Sequence, residues 1–236
     1  MAAQNLLMES PTATVAQCFG VDVPMSPYLN PGRVARINAG LYERSEILGA
    51  LALINKDDRV LEMGAGLGIV GAAIAQNAQP QAILSFEANP ALIPHIQELY
   101  QLNGISWRIQ VKNQILLASQ PSGHRVPIFV GSSFLGSSLL ASGSRRRKPV
   151  WVPTAAYEIV RQTFKPSILV MDVEGAELDF LTHANLDSIR GLVIEFHPKA
   201  YGVGGMKRCK SILRAAGFNK RVSESTRTVW VCERAP

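Results

Sequence analysis

The chain has few cysteines and no long apolar run. Cys18, Cys209 and Cys232 are its only cysteines, odd in number and far apart. With no CxxC pair and no Cys/His cluster, neither a disulfide framework nor a zinc site of familiar spacing is expected. The expected compartment is therefore a reducing one, the cytoplasm. No apolar stretch reaches the roughly 18 residues that span a bilayer, so no membrane partner is expected. The opening MAAQNLLMESPTATVAQ has no basic start and no sustained apolar stretch, and it carries Glu9. A secretory signal is not expected there. Charged residues make up 18% and hydrophobic residues 47% of 236 positions, an ordinary balance for a globular chain that closes one core. The formal net charge of +6 favours anionic partners, although many small basic enzymes share it.

Proline and glycine punctuate residues 1–35, at Pro11, Pro24, Pro27, Pro31 and Gly32. That stretch reads as a loop-like N-terminal extension, with one domain over 36–236. Residues 36–54 read as one amphipathic helix, with Ile37, Leu41, Ile47, Leu48, Leu51 and Ile54 roughly on one face. Strands and helices then alternate. Strands are expected at 59–63, 82–86 and 107–111, with helices at 67–76 and 90–102 between them. Residues 114–152 break the pattern with short apolar pieces among Ser, Gly and Pro, which suggests an inserted β-hairpin or meander. Alternation resumes with a helix at 154–164, a strand at 168–171, a helix at 176–183, a strand at 192–196 and a helix at 206–216. Two closing strands, 218–222 and 228–232, are expected to be antiparallel. The fold class is α/β: a Rossmann-like, seven-stranded, doubly wound sheet with an inserted β-hairpin before its fourth strand.

In such sheets ligands lie outside the carboxyl ends of the strands. The turn LEMGAGLGIVG at 61–71 falls there. Gly66, Gly68 and Gly71 match the dinucleotide fingerprint, yet that pattern also serves plain helix–strand packing. The acids around it are more informative. Glu62 just before the glycines would repel a pyrophosphate and suits a cationic ligand. Glu87, at the end of the next strand, is placed to accept both hydroxyls of a ribose. Together they fit a nucleoside with a sulfonium and an amino-acid tail better than NAD.

Glu62-Met-Gly64-Ala65-Gly66-Leu-Gly68 resembles the (D/E)xGxGxG motif of class I S-adenosylmethionine-dependent methyltransferases. Phe86-Glu87-Ala88-Asn89-Pro90 is similar to the family stretch F-E-P-N-P, with Ala88 in place of the usual proline. Residues 172–177, DVEGAE, resemble the D-(V/I)-E-G-x-E signature of the FkbM-type methyltransferases, with Val170-Met171 where Lys-Ile is usual. The resemblance covers about residues 40–200. It implies S-adenosyl-L-methionine as cofactor and a hydroxyl of a small molecule or saccharide as acceptor. Glu87 would take the ribose hydroxyls, with Gly64, Gly66 and Gly68 along the tail and ribose, beside Ala65 and Ala88. Glu62 would help to bind the ammonium of the tail, and Asn113 would approach the adenine. Tyr42 and Glu43 would close over the cofactor or acceptor.

For the chemistry, Asp172 at the end of its strand is the first candidate base, followed by Glu174 and His197. The same acids also suit an ordinary helix start, with Asp as cap and Glu in the first turn. Asp172, Glu174, Glu195 and His197 could form an oxygen-rich cation site, but nothing in their spacing requires one and no metal is assigned. A second reading is methylation of RNA or protein, favoured by the basic run Arg145-Arg146-Arg147-Lys148. No aromatic-interleaved basic stripe accompanies that run, so nucleic acid is a less favoured partner. NAD binding ranks below both readings, because it leaves Glu62 and Gly64 unexplained. A fold that binds cofactor without chemistry is the remaining alternative. The sequence does not identify the acceptor or the oligomeric state.

Overall fold

A computed structural model describes residues 13–119, 125–129 and 149–234. Its centre is a seven-stranded sheet. The strands are β3 (Arg59–Met63), β4 (Ala82–Phe86), β5 (Ile109–Lys112), β9 (Ile168–Met171), β10 (Gly191–Glu195), β11 (Phe218–Lys220) and β12 (Val229–Arg234), in the spatial order β11-β12-β10-β9-β3-β4-β5. Pairings β10–β9, β9–β3, β3–β4 and β4–β5 are parallel, while β12 runs antiparallel to both β10 and β11. The chain therefore starts in the middle, winds to one edge, returns to the middle and winds to the other. The crevice between β3 and β9 is the switch point where such sheets bind ligands.

The strands alternate between two cores, as side chains on a pleated sheet must. Val60, Ile83, Ile168, Val170, Val193 and Val231 face one layer. That layer holds α2 (Arg44–Leu53), α3 (Ile69–Asn77) and α4 (Ile93–Leu102). Leu61, Met63, Leu169, Met171, Ile194 and Trp230 face the other. There lie α5 (Tyr157–Phe164), α6 (Glu177–His183) and α7 (Pro198–Ala215). Glu62 is the acid on the first of these faces, with 1% of its surface exposed.

At the amino ends of the strands Asp58, 4% exposed, is saturated with donors. It accepts from Arg190 Nε at 2.8 Å, Ser167 Oγ at 2.7 Å and Asn55 N at 2.7 Å. Burial pushes its pKa up, but these bonds and the guanidinium charge win and hold it below the usual value. This end of the sheet is closed.

Several expected boundaries move. The segment read as loop-like holds a hairpin, β1 (Thr14–Cys18) with β2 (Val21–Pro24), and the start of α1 (Pro31–Asn38). Ala16, Cys18, Val21 and Val23 are buried in the first core, so tertiary burial overrides the proline punctuation. The single helix expected over 36–54 is two helices. Gly40 (φ +63°) ends α1 in a Schellman motif, with Gly40 N on Ile37 O at 2.8 Å and Leu41 N on Arg36 O at 2.9 Å. Residues 154–156, expected to be helical, extend β8 (Pro149–Ala156), because Thr154, Ala155 and Ala156 pair with β6 (Ile115–Leu117). The insert is a three-stranded sheet in which β8 also pairs antiparallel with β7 (Arg125–Phe129). The last helix starts eight residues earlier than expected and is broken at Gly202, where φ is +75°. The basic run at 145–148 and residues 1–12 lie outside the described residues.

Candidate active site

The glycine turn forms because β3 ends against backbone. Gly64 has φ +85°, and a Cβ there would sit 1.7 Å from the Asp172 carbonyl oxygen. Only glycine fits. Gly64 N and Ala65 N donate to Phe86 O at 2.9 and 3.1 Å, and Asp172 N donates to Met63 O at 2.9 Å. The turn is thus tied to the ends of both neighbouring strands. Gly68 (φ +79°) starts α3 and packs where a Cβ would be 2.9 Å from Ile96.

Glu87 closes the turn from below. Its Oε2 accepts from Gly66 N at 2.8 Å and its Oε1 from Asn89 N at 2.7 Å. Burial raises its pKa, partly offset by these backbone donors. Asn113 does not line the cavity. Its amide donates to Glu87 O at 2.9 Å and Ala88 O at 3.1 Å, so it clamps the loop that presents Glu87. Glu62 is not a lining residue either. Its Oε2 takes the Ser85 hydroxyl and lies where a Cβ on Gly71 would be 2.6 Å away, while Oε1 has no hydrogen-bond partner. Burial pushes its pKa up to about 7, against the hydrogen bonds from Ser85 and Gly71. Ala65 is buried in the first core rather than facing the cavity.

Above the turn is a cavity of about 420 Å³. Its floor includes Gly64, Gly66, Glu87 and Ala88, and its apolar side is Met63, Phe86, Leu92, Leu116 and Ile128. Glu43, Glu87, Asp172, Glu174, Asp179 and Glu195 also line it, and no Lys or Arg does among the described residues. A pyrophosphate would find no cation and several repelling charges. A nucleoside with a sulfonium would find an apolar slot, a ribose-binding acid and a negative wall.

That wall is assembled from distant segments. Glu174 (φ +52°) and Gly175 (φ +115°) turn the chain sharply after β9. Glu177, with a side chain 0% exposed, opens α6 and accepts from His197 Nδ1 at 2.8 Å. His197 follows β10, and its backbone N donates to the Tyr201 hydroxyl at 2.7 Å. Its Nε2 faces Asp172 Oδ1 and Glu174 Oε2, each at 3.5 Å. Burial works against the charged imidazole. The hydrogen bond to Glu177 and the charges of Glu177, Asp172 and Glu174 outweigh it and lift the pKa to about 9. Burial, then the charge of Glu195, drives the Asp172 carboxyl well above the carboxylate range, against the pull of His197. Burial and a hydrogen bond to Glu195 help to bring Glu46 to about 7.

A profile of the Methyltransferase FkbM domain matches residues 63–220, well over half of the chain. The chain belongs to the FkbM methyltransferase family. The match takes in the glycine turn, Glu87 and the whole 172–177 signature. This FkbM protein is a methyltransferase with S-adenosyl-L-methionine as its cofactor, and Gly66, Glu87 and the apolar slot are the residues that fit it. No curated protein matches the chain. Among solved structures it is similar to the ribosomal protein L11 methylase of Lactobacillus delbrueckii subsp. bulgaricus, with 15% identity over 82% of this chain and 78% of that one, TM-score 0.49. It is also similar to the precorrin-6y C5,15-methyltransferase of Geobacter metallireducens GS-15, with 11% identity over 82% and 87%, TM-score 0.48. A third is the P. horikoshii TYW2 in complex with MeSAdo, with 15% identity over 96% and 71%, TM-score 0.48. The architecture itself rests on the strand order above. Among the described residues no helix is long and apolar enough to cross a membrane.

Sequence reasoning named Asp172, Glu174 and His197, and the structure brings them together. It did not weigh Glu46, which reaches Glu195 from α2. The helical spacing of α2 gives no hint of Glu46, because its partner lies far away in sequence.

Proposed function

We propose that this methyltransferase acts on a hydroxyl group of a small molecule or saccharide, with Asp172 as the general base. The observation that carries the reading is the placement of Asp172. It ends β9 beside the glycine turn, lines the cavity, and has its proton affinity raised by burial and by Glu195. A base must be near the acceptor and must hold a proton well enough to take it.

When bound, the cofactor supplies a methyl group already activated on sulfur. The protein then has to hold and align. Glu87 fixes the ribose end from beneath the turn, and the apolar side from Met63, Phe86 and Leu92 excludes water. Asp172 would accept the proton that the acceptor hydroxyl gives up as it takes the methyl group. In this reading His197 is not the base, because it does not line the cavity and its Nδ1 is engaged by Glu177. It offsets charge beside Asp172. A phosphate-rich acceptor such as RNA fits the negative lining poorly. An amine is the second reading, favoured by the acids and by the lack of a lining Lys or Arg among the described residues.

Calorimetry with S-adenosylhomocysteine tests the cofactor half. Binding should weaken about 100-fold in Glu87→Ala, the loss of one or two charge-assisted hydrogen bonds. NAD should not bind. Transfer of radiolabelled methyl from S-adenosylmethionine to panels of saccharides, other alcohols and amines tests the acceptor half. Turnover confined to hydroxyl acceptors and lost in Asp172→Asn is expected. Turnover confined to amines would overturn the hydroxyl assignment.

A further inference from the structure

The acid wall holds more carboxyl groups than the single positive charge of the cofactor can partner. A sulfonium and an ammonium, less one carboxylate, leave S-adenosylmethionine with a net charge of one. Against it stand Glu43, Asp172, Glu174, Asp179 and Glu195, with Glu177 behind them and no lining Lys or Arg among the described residues. Acids left unmatched in a partly closed cavity are costly.

The geometry is more specific than the charge. One potential ligand atom from each of Asp172, Glu177 and His197 lies within 4.8 Å of the other two. The Asp172 side chain is 29% exposed, yet its Oδ1 is buried and has no hydrogen-bond partner. Glu177 is 0% exposed, and its Oε2 is also without a partner. His197 Nδ1 is engaged by Glu177 Oε1, which leaves Nε2 turned toward Asp172 Oδ1 and Glu174 Oε2 at 3.5 Å each. Those gaps are too long for good hydrogen bonds. They suit ligands of one small ion, whose neighbouring donor atoms lie about 3 Å apart when each bond is about 2.1 Å. A ligating histidine usually gives its other nitrogen to a carboxylate, which is the place Glu177 occupies.

We propose that Asp172 and His197 hold a divalent metal ion, that Glu177 orients the imidazole for it, and that Glu174 faces it from the open side. Mixed imidazole and carboxylate donors suit Mn²⁺ or a similar ion. On binding, the ion displaces the proton that His197 otherwise carries. If the proposed hydroxyl acceptor is right, the ion lies where it lowers that hydroxyl's pKa, and Asp172 then acts as its ligand in place of the general base. The site itself does not depend on the acceptor.

The test uses the full chain, stripped with chelator and titrated with Mn²⁺ under electron paramagnetic resonance. Binding of S-adenosylhomocysteine is measured in parallel as a check on folding. The expected result is one tightly held Mn²⁺ per chain, lost in Asp172→Asn and in His197→Ala. Glu177→Gln should bind it 10- to 100-fold more weakly, by the usual effect of an orienting carboxylate. If a variant fails to fold, Glu174→Gln, on the open side, should still weaken Mn²⁺ binding in a chain that binds S-adenosylhomocysteine. No uptake by the unaltered protein, uptake that survives Asp172→Asn and His197→Ala, or spermidine binding in place of Mn²⁺ would overturn the proposal. Loss of S-adenosylhomocysteine binding by the unaltered protein would instead sink the cofactor assignment, with the Mn²⁺ signal still deciding the site.

Discussion

The two ends of the central sheet treat buried acid in opposite ways. At the amino ends, Asp58 has a guanidinium, a hydroxyl and a backbone amide, and its proton affinity falls. At the carboxyl ends, buried Glu46 and Glu62 and half-buried Asp172 have too few donors, and their proton affinity rises. The first arrangement stabilises the fold. The second leaves poorly partnered acids at the switch point, as functional sites often do.

Gly64→Ala should do the most damage, because it strikes the backbone contact on which the carboxyl end is built. A left-handed backbone with a Cβ driven into the Asp172 carbonyl should cost about 3–5 kcal/mol. Thermal unfolding should show a midpoint lower by about 10 °C. An unchanged midpoint would mean that the turn and β9 are not in contact.

Arg190→Met comes next and tests the closed end. It leaves Asp58 buried without its charge partner, although the guanidinium is 38% exposed, so a loss of about 3 kcal/mol is expected at pH 7. Because Asp58 is lowered in the fold, its contribution is present above pH 4 and is lost as pH falls through the folded value. The variant should therefore differ from the parent less at pH 2 than at pH 7 in denaturant titrations.

Glu62→Gln should act with the opposite sign. The raised pKa of about 7 means that stability from this group is present below about pH 4.5 and is lost as pH rises through 7. Removing the charge should leave the fold about 2–3 kcal/mol more stable at pH 8 and little changed at pH 4.5. A loss of stability at pH 8 would show that the ionised form is well partnered, and the contrast between the two ends would weaken.

Asn113→Ala should have the smallest effect, about 1–2 kcal/mol, for two neutral hydrogen bonds to one loop. S-adenosylhomocysteine should still bind, but more weakly, because the loop that presents Glu87 is no longer clamped.

The glycine turn differs from the acid wall and from the closed end in how far the sequence reveals it. Gly64 to Gly68 and Glu87 lie on successive strands joined by one helix, so local spacing carries the geometry. The doubly wound, mostly parallel sheet followed from the same alternation. The hairpin at 14–24 did not, since its place depends on burial against α4 and α1 rather than on its own prolines. The 36–54 segment contains its own stop at Gly40, a left-handed cap that a count of apolar positions passes over. Glu46 and Glu195 meet from helices and strands far apart in sequence, a contact that no spacing encodes.

The insert has a consequence for redesign. β6 leaves the sheet directly after β5, β8 leads directly into α5, and the two pair with each other in parallel. Both ends of the intervening chain are therefore anchored to the scaffold before it begins. An exchange of residues 118–149 would therefore leave the glycine turn and its two flanking strands in place. Floor and roof of the cavity are in that sense separate pieces of chain.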